Sequence, residues 1–467
     1  MRIRGLGIVF GLLLALVPLG TVVQAYQTPD WIATSNVKYI GNMPINGDGV
    51  GAKVIGNYLY LTTSLGLWIY DVSQPTTPTL VSGINMDVHW ENEEVPTNGR
   101  ILGLSNSVGC DHRPPDDPTA TNCLDLFDVT DKANPRFIKA VGGAGQHTNA
   151  CIFDCTWFYG STGAVTDARD PANAKLVCNW QDPANHLPGK SPHHVREVTP
   201  GYILTATQPV MLLSVWPQDG GNMCHPKLLA TGTNADGRFI HSNRWPGHGT
   251  DSFALIGGET NFRPQCGTVG GAVSDNGAFM TWDARGVLKN GKYQPGSKFT
   301  MIDQYRVQNG VYSDGGPPIN VLGCSVHWFE EHPSFHDGGL VALAAYESGT
   351  RFMQVTADGH LKEQGWFIPV GRGSTSAPHW APDGKTVYTI DYERGFDILQ
   401  WLGPTYVPGT AAASTTFSAP APNTTAANTL TPNTSARRPV ILLPLVPVAV
   451  GAGLLAWRRR RRLTPPA

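Results

Sequence analysis

Apolar and polar residues alternate in short runs along most of this chain, and the runs are separated by glycine, proline, asparagine and aspartate. Period-two alternation between turn residues predicts strands with one buried face; helices would repeat their apolar positions every three or four residues. Tyr58 to Pro78 shows the unit most clearly, with two alternating strands, a glycine turn and a proline-rich exit. Weaker copies begin at Leu124, Trp157, Tyr202, Phe253, Leu340 and Val387. Asp71, Asp128, Asp167, Ser214, Asp283, Gln354 and Asp397 hold the equivalent third-strand position, which gives seven copies separated by loops of unequal length.

Short strands at this recurrence fit a propeller or a sandwich. The ends of the repeat favour the propeller. The last copy stops at its third strand, Phe396 to Leu399, and its missing fourth strand has a counterpart at the other end of the repeat, in Asn36-Val-Lys-Tyr-Ile-Gly. That segment is similar to the fourth strands at Leu80-Val-Ser-Gly and Phe137-Ile-Lys-Ala. Pairing the two would close a ring and remove an exposed sheet edge. The prediction is an all-β, seven-bladed β-propeller over 26–403, closed by an N-terminal strand.

The flanking segments have other compositions. Residues 1–25 combine Arg2 and Arg4 with an apolar run and a small residue at Ala25, the pattern of a signal peptide. Residues 404–438 are nearly all Ala, Thr, Ser, Pro and Asn, which reads as an extended stalk. Residues 439–457 are apolar and would span about 28 Å as a helix, enough for a hydrocarbon core of roughly 30 Å. The arginines of the 458–467 tail belong on the cytoplasmic side. The expected product is a single-pass cell-membrane protein, tethered by a C-terminal transmembrane helix, with its propeller on the extracytoplasmic side.

Charge narrows the partners. The formal net charge is −2, and the one basic cluster sits in the predicted tail, so nucleic acid is not an expected partner. All eight cysteines fall between Cys110 and Cys324, an even number inside the exported part, which suits disulfides. Cys110 with Cys123 and Cys224 with Cys266 are candidate pairs. Cys151 and Cys155 form a CxxxC that could bridge or bind metal.

Leu67-Trp-Ile-Tyr-Asp-Val-Ser-Gln-Pro and Leu124-Asp-Leu-Phe-Asp-Val-Thr-Asp resemble the LVIVD repeat, named for its third strand and following turn. Gly323-Cys-Ser-Val-His-Trp-Phe, Gly349-Thr-Arg-Phe and Asp391-Tyr-Glu-Arg-Gly-Phe-Asp-Ile-Leu resemble exported bacterial members of that group. The resemblance covers most of 36–400 and implies a seven-bladed propeller, often associated with the cell surface. It implies no particular chemistry.

One pattern points further. A histidine stands upstream of the second strand in six copies: His89, His147, His193 with His194, His241, His327 and His379. In the first copy Asp48 falls near that position. The innermost strand begins there, so a closed ring would bring these imidazoles to the mouth of its channel. Clustered imidazoles suit copper, zinc or iron. Glu259 is a candidate carboxylate ligand or base, and Arg351 a candidate for an anionic ligand if it points inward. The remaining histidines, among them His112, His248 and His332, read as loop residues. Histidines at such positions can also hold a ring together by hydrogen bonding. Two functions follow: a surface-displayed module that binds a ligand or another surface protein at its channel mouth, or a metal-dependent extracytoplasmic oxidoreductase or hydrolase. Triad, phosphate-loop and HExxH patterns are absent from the sequence.

Overall fold

The computed structural model describes residues 30–87, 92–234, 239–259, 277–289, 291–307, 324–370 and 373–405. The sequence repeats become seven sheets of antiparallel strands, each a propeller blade, with Ser297–Lys298 adding one short parallel pairing to the fourth, together with a small two-stranded hairpin. The first blade shows the plan: Gly49–Ile55 lies innermost, followed outwards by Tyr58–Thr63, Gly66–Asp71 and Thr79–Asn85. The third strand of each of the first five blades ends on the predicted polar residue. Its side chain accepts a hydrogen bond from the backbone N–H two residues on: Asp71 from Ser73, Asp128 from Thr130, Asp167 from Arg169, Ser214 from Trp216 and Asp283 from Arg285. This local turn explains why the repeat keeps aspartate or serine there. Gln354 stands one residue short of its strand end, and Asp397 lies early in Gly395–Trp401. Asp397 is buried and paired with Arg394 at 3.1 Å instead of forming a turn.

Closure follows the expected route. Val37–Met43 pairs antiparallel with Gly395–Trp401, with Val37 opposite Trp401 and Met43 opposite Phe396. The N-terminal strand thus completes the seventh blade. Trp31–Ala33 goes further and adds a fifth strand to the sixth blade, outside Leu361–Pro369.

Apolar side chains fill the space between neighbouring blades. Leu59, Leu61 and Tyr70 of the first blade meet Tyr388, Ile390 and Phe396 of the seventh. Leu67 and Ile69 meet Leu102 and Leu104 of the second. Equivalent clusters join each further pair, so the interfaces form a closed series. Full burial of such side chains contributes roughly 1.5–3 kcal/mol each, and closure gives every blade two such neighbours.

Disulfides add covalent ties within and between blades. Cys110–Cys123 forms as expected. Cys151 and Cys155 bridge each other and so offer no thiolates for metal. Cys224 pairs with Cys178, which corrects the expected Cys224–Cys266 bond: packing the third blade against the fourth brings together cysteines 46 residues apart. Cys324 is also disulfide-bonded. Cys266 lies outside the described residues, as do the segment read as a signal peptide, nearly all of the stalk, and the predicted transmembrane helix and tail. Among the described residues no helix is long and apolar enough to cross a membrane.

Burial pushes the Asp125 carboxyl up to about 6, although Arg113 and a hydrogen bond from Asn106 oppose the rise. The folded protein therefore prefers Asp125 protonated. The stability this contributes is complete below about pH 4 and is lost as pH rises through 6. Asp125→Asn should raise the melting temperature at pH 7.5, with a gain that shrinks as pH falls towards 4. A gain independent of pH would refute this assignment.

Candidate metal centre

The second blade departs from the plan where the axis needs it. Its named strands are Ile101–Asn106, Cys123–Asp128 and Arg136–Gly142. The innermost position is taken by irregular chain, joined to Ile101–Asn106 by a bridge between Thr97 and Leu102. Asn92 imitates a ladder residue with its side chain, accepting from Ser105 N at 2.7 Å and donating to Ser105 O at 3.0 Å. The two residues after it, Glu93 and Glu94, both turn inward. Gly51 of the first blade makes room for them, because a Cβ there would lie 2.2 Å from the Glu93 carbonyl oxygen.

Glu93 is the hub. His241 Nε2 lies 3.2 Å from its Oε2 and His327 Nε2 lies 3.3 Å from its Oε1. His193 and His147 follow at 3.8 and 3.9 Å. Trp328 Nε1 donates to Oε2 at 2.9 Å. The third to sixth blades thus each supply one imidazole. Successive ring centroids are 4.3, 3.9 and 4.3 Å apart from His147 to His327. Glu93 with His147 and His193, and Glu93 with His241 and His327, form two trios whose ligand atoms lie within 4.8 Å of one another. Either trio, or a set drawn from both, could hold a metal ion.

Hydrogen bonds on the far side of two rings set their tautomers. His327 Nδ1 donates to Ser376 O at 2.7 Å, and His193 Nδ1 donates to His241 O at 3.2 Å. A neutral ring held this way turns a bare Nε2 lone pair inward. Burial drives His193 towards the neutral form, and the neighbouring His241 adds to the effect. Glu93 goes the other way: burial would raise its pKa, but His241, His327 and His193 together hold it well below the carboxylate range. Burial would lower His327, yet facing Glu93 leaves it raised. Neither ring nitrogen of buried His241 has a well-formed hydrogen bond among the described residues.

A second polar tier lies beneath. Strand alternation sends His193 to Glu93 and the next residue, His194, to Glu94, whose Oε2 is 3.4 Å from His194 Nε2. Burial lowers His194 to about 4. Glu94 also pairs with Arg196 at 2.6 Å. Arg244 meets Glu330 and Glu331 at 3.3 and 3.1 Å.

The expected site residues therefore divide. His147, His193, His241 and His327 converge. His194 belongs to the lower tier. So does His379, whose Nδ1 is 3.4 Å from Glu330. It stands near the far end of Thr375–Trp380, opposite Tyr388, because a short hairpin brings it close to the second strand. Glu259 stays one residue removed: Tyr346 donates to its Oε1, and the Tyr346 ring lies 4.6 Å from that of His327. Arg351 does not join the cluster; its guanidinium binds Ser348 O and Glu363 within its own blade. Asp48 remains exposed at the upper rim. His89 lies outside the described residues. Glu93 and Trp328 were not anticipated. Glu93 sits in the short acidic run Glu91-Asn-Glu-Glu, and its one signal is its place in the second blade's innermost slot.

Fold and site together define a β-propeller with a histidine–carboxylate cluster on its axis. The sequence model of the LVIVD repeat family matches residues 46–85, which coincide with the first blade. The chain therefore carries the LVIVD repeat its third strands resemble. No curated protein matches the chain.

Trp328→Phe removes the N–H bonded to the Glu93 carboxylate. It should destabilise the protein by about 1.5–3 kcal/mol in denaturant titrations, the usual cost for a hydrogen bond to a charged group. A change below about 0.5 kcal/mol would show that Glu93 does not depend on this donor.

Proposed function

We propose that this protein is an exported, membrane-tethered propeller that holds a transition metal at Glu93, His147, His193, His241 and His327, and uses it in extracytoplasmic metal-dependent chemistry. One observation carries the reading. His327 commits its Nδ1 hydrogen to a backbone carbonyl, so when neutral it aims a lone pair at an ionised carboxylate 3.3 Å away, while His193, committed in the same way, shares a 2.6 Å Nε2–Nε2 contact with His147 beside that carboxylate. Lone pair against carboxylate is repulsive. Protonating one ring relieves one contact, but four imidazolium ions in so small a space would repel one another. A divalent cation held by either trio answers the carboxylate and the imidazole lone pairs at once. The imidazole-rich set suits copper, zinc or iron.

Export and tethering rest on the readings of 1–25 and 439–457, and the disulfides support an oxidising compartment. The LVIVD repeat favours a second reading, a surface interaction module whose cluster serves only to hold the ring.

Elemental analysis of the full chain, purified in detergent and reconstituted with copper, zinc or iron, separates the two. The metal reading expects roughly one equivalent of one of them after desalting. His241→Ala combined with His327→Ala should abolish binding, whereas His379→Ala in the lower tier should keep it. A wild-type protein that retains no metal would leave the interaction module as the function.

A further inference from the structure

The donor set is lopsided. The third to sixth blades supply imidazoles and the second supplies Glu93, while among the described residues the seventh and first blades meet the same level with backbone, Ser376 and the Tyr392 ring, 6.3 Å from that of His327. Ser376 offers its carbonyl to His327, and its hydroxyl donates to Val50 O. Exposure is graded in the same sense. The His241 and His327 side chains are each 1% exposed, whereas His193 is 14% and His147 is 24% exposed.

Access from below is closed. The Trp328 indole is buried beneath Glu93, with its ring 4.6 Å from that of His194 and 5.6 Å from that of His241. Under it the Glu94–Arg196 pair and the Arg244 contacts to Glu330 and Glu331 fill the axis. A cavity of about 600 Å³ opens at the lower mouth, but its lining stops at Arg196, Arg244 and Glu330 and includes no member of the upper cluster. On the upper side Phe239 is 41% exposed, with its ring 5.5 Å from that of His193.

We infer that this metal centre keeps a coordination position open towards the upper mouth, beside His147 and His193, for a small molecule bearing a lone-pair donor atom. The inference rests on the metal reading above and adds to it: a site sealed on all sides would be structural, whereas a one-sided site exchanges ligands. Among the described residues the cationic side chains of the axis, Arg196, Arg244 and Lys53, lie in the lower tier, the two arginines paired with carboxylates and Lys53 donating to Thr97 O. Phe239 and Tyr346 give the upper side an aromatic wall, so the ligand is recognised through its donor atom and an apolar body.

Azide binding to the Co²⁺-loaded full chain tests this. Bound cobalt is first counted by elemental analysis, and the visible spectrum is then followed as azide is added. A saturable spectral change is expected. Phe239→Trp should slow azide association several-fold, while Pro382→Trp, at the lower cavity, should leave it unchanged. Cobalt bound at one equivalent with a spectrum that azide does not move would overturn the open position and leave the metal reading intact. Equal rates in the two variants, or slowing only in Pro382→Trp, would overturn the upper approach. Failure to retain cobalt would count against the metal reading itself.

Discussion

The antiparallel pairing of Val37–Met43 with Gly395–Trp401 is the contact on which the rest of the structure depends. It joins residues more than three hundred positions apart, turning a row of sheets into a ring. Without it the apolar interface between the first and seventh blades would be weakened and the seventh would present Gly395–Trp401 as an unpaired edge. Trp31–Ala33 reinforces the seam by continuing onto the sixth blade, so the same N-terminal segment spans the junction of two blades.

Closure also creates the site. No two of the four central histidines share a blade, and Glu93 comes from a fifth. Only a ring whose innermost strands face a common axis can bring them within a few ångströms of one carboxylate. The axis is built in layers by consecutive residues: Glu93 and His193 face upward, Glu94 and His194 downward. Trp328 separates the layers while donating to Glu93. The upper layer concentrates lone pairs around a negative charge, which is poor design for an empty pocket and good design for a cation. The lower layer pairs its arginines with glutamates.

Much of the fold was legible because its causes are local. The aspartate turn after the third strand needs only neighbouring residues, and it recurs often enough to count blades. The closing strand was legible because it repeats the fourth-strand pattern of intact blades. The site was legible only in part. His147, His193, His241 and His327 share a strand register and converge as expected. His379 is a histidine in the right blade at the wrong height, since hairpin length decides which end of the strand it occupies. Arg351 depended on side-chain direction, which Glu363 settles. Glu93 belongs to a segment that has lost the strand pattern, and Cys178–Cys224 depends on how blades pack; neither is encoded in spacing.

Anomalous diffraction from crystals of the metal-loaded protein, recorded at the absorption edge of the bound metal, tests the central claim most directly. The account predicts a peak on the axis, within about 2.0–2.2 Å of the Nε2 atoms of at least three of the four central histidines. An ordered cluster with no peak, or a peak confined to the group formed by Asp87, Asp111 and His112 on the surface, would contradict it.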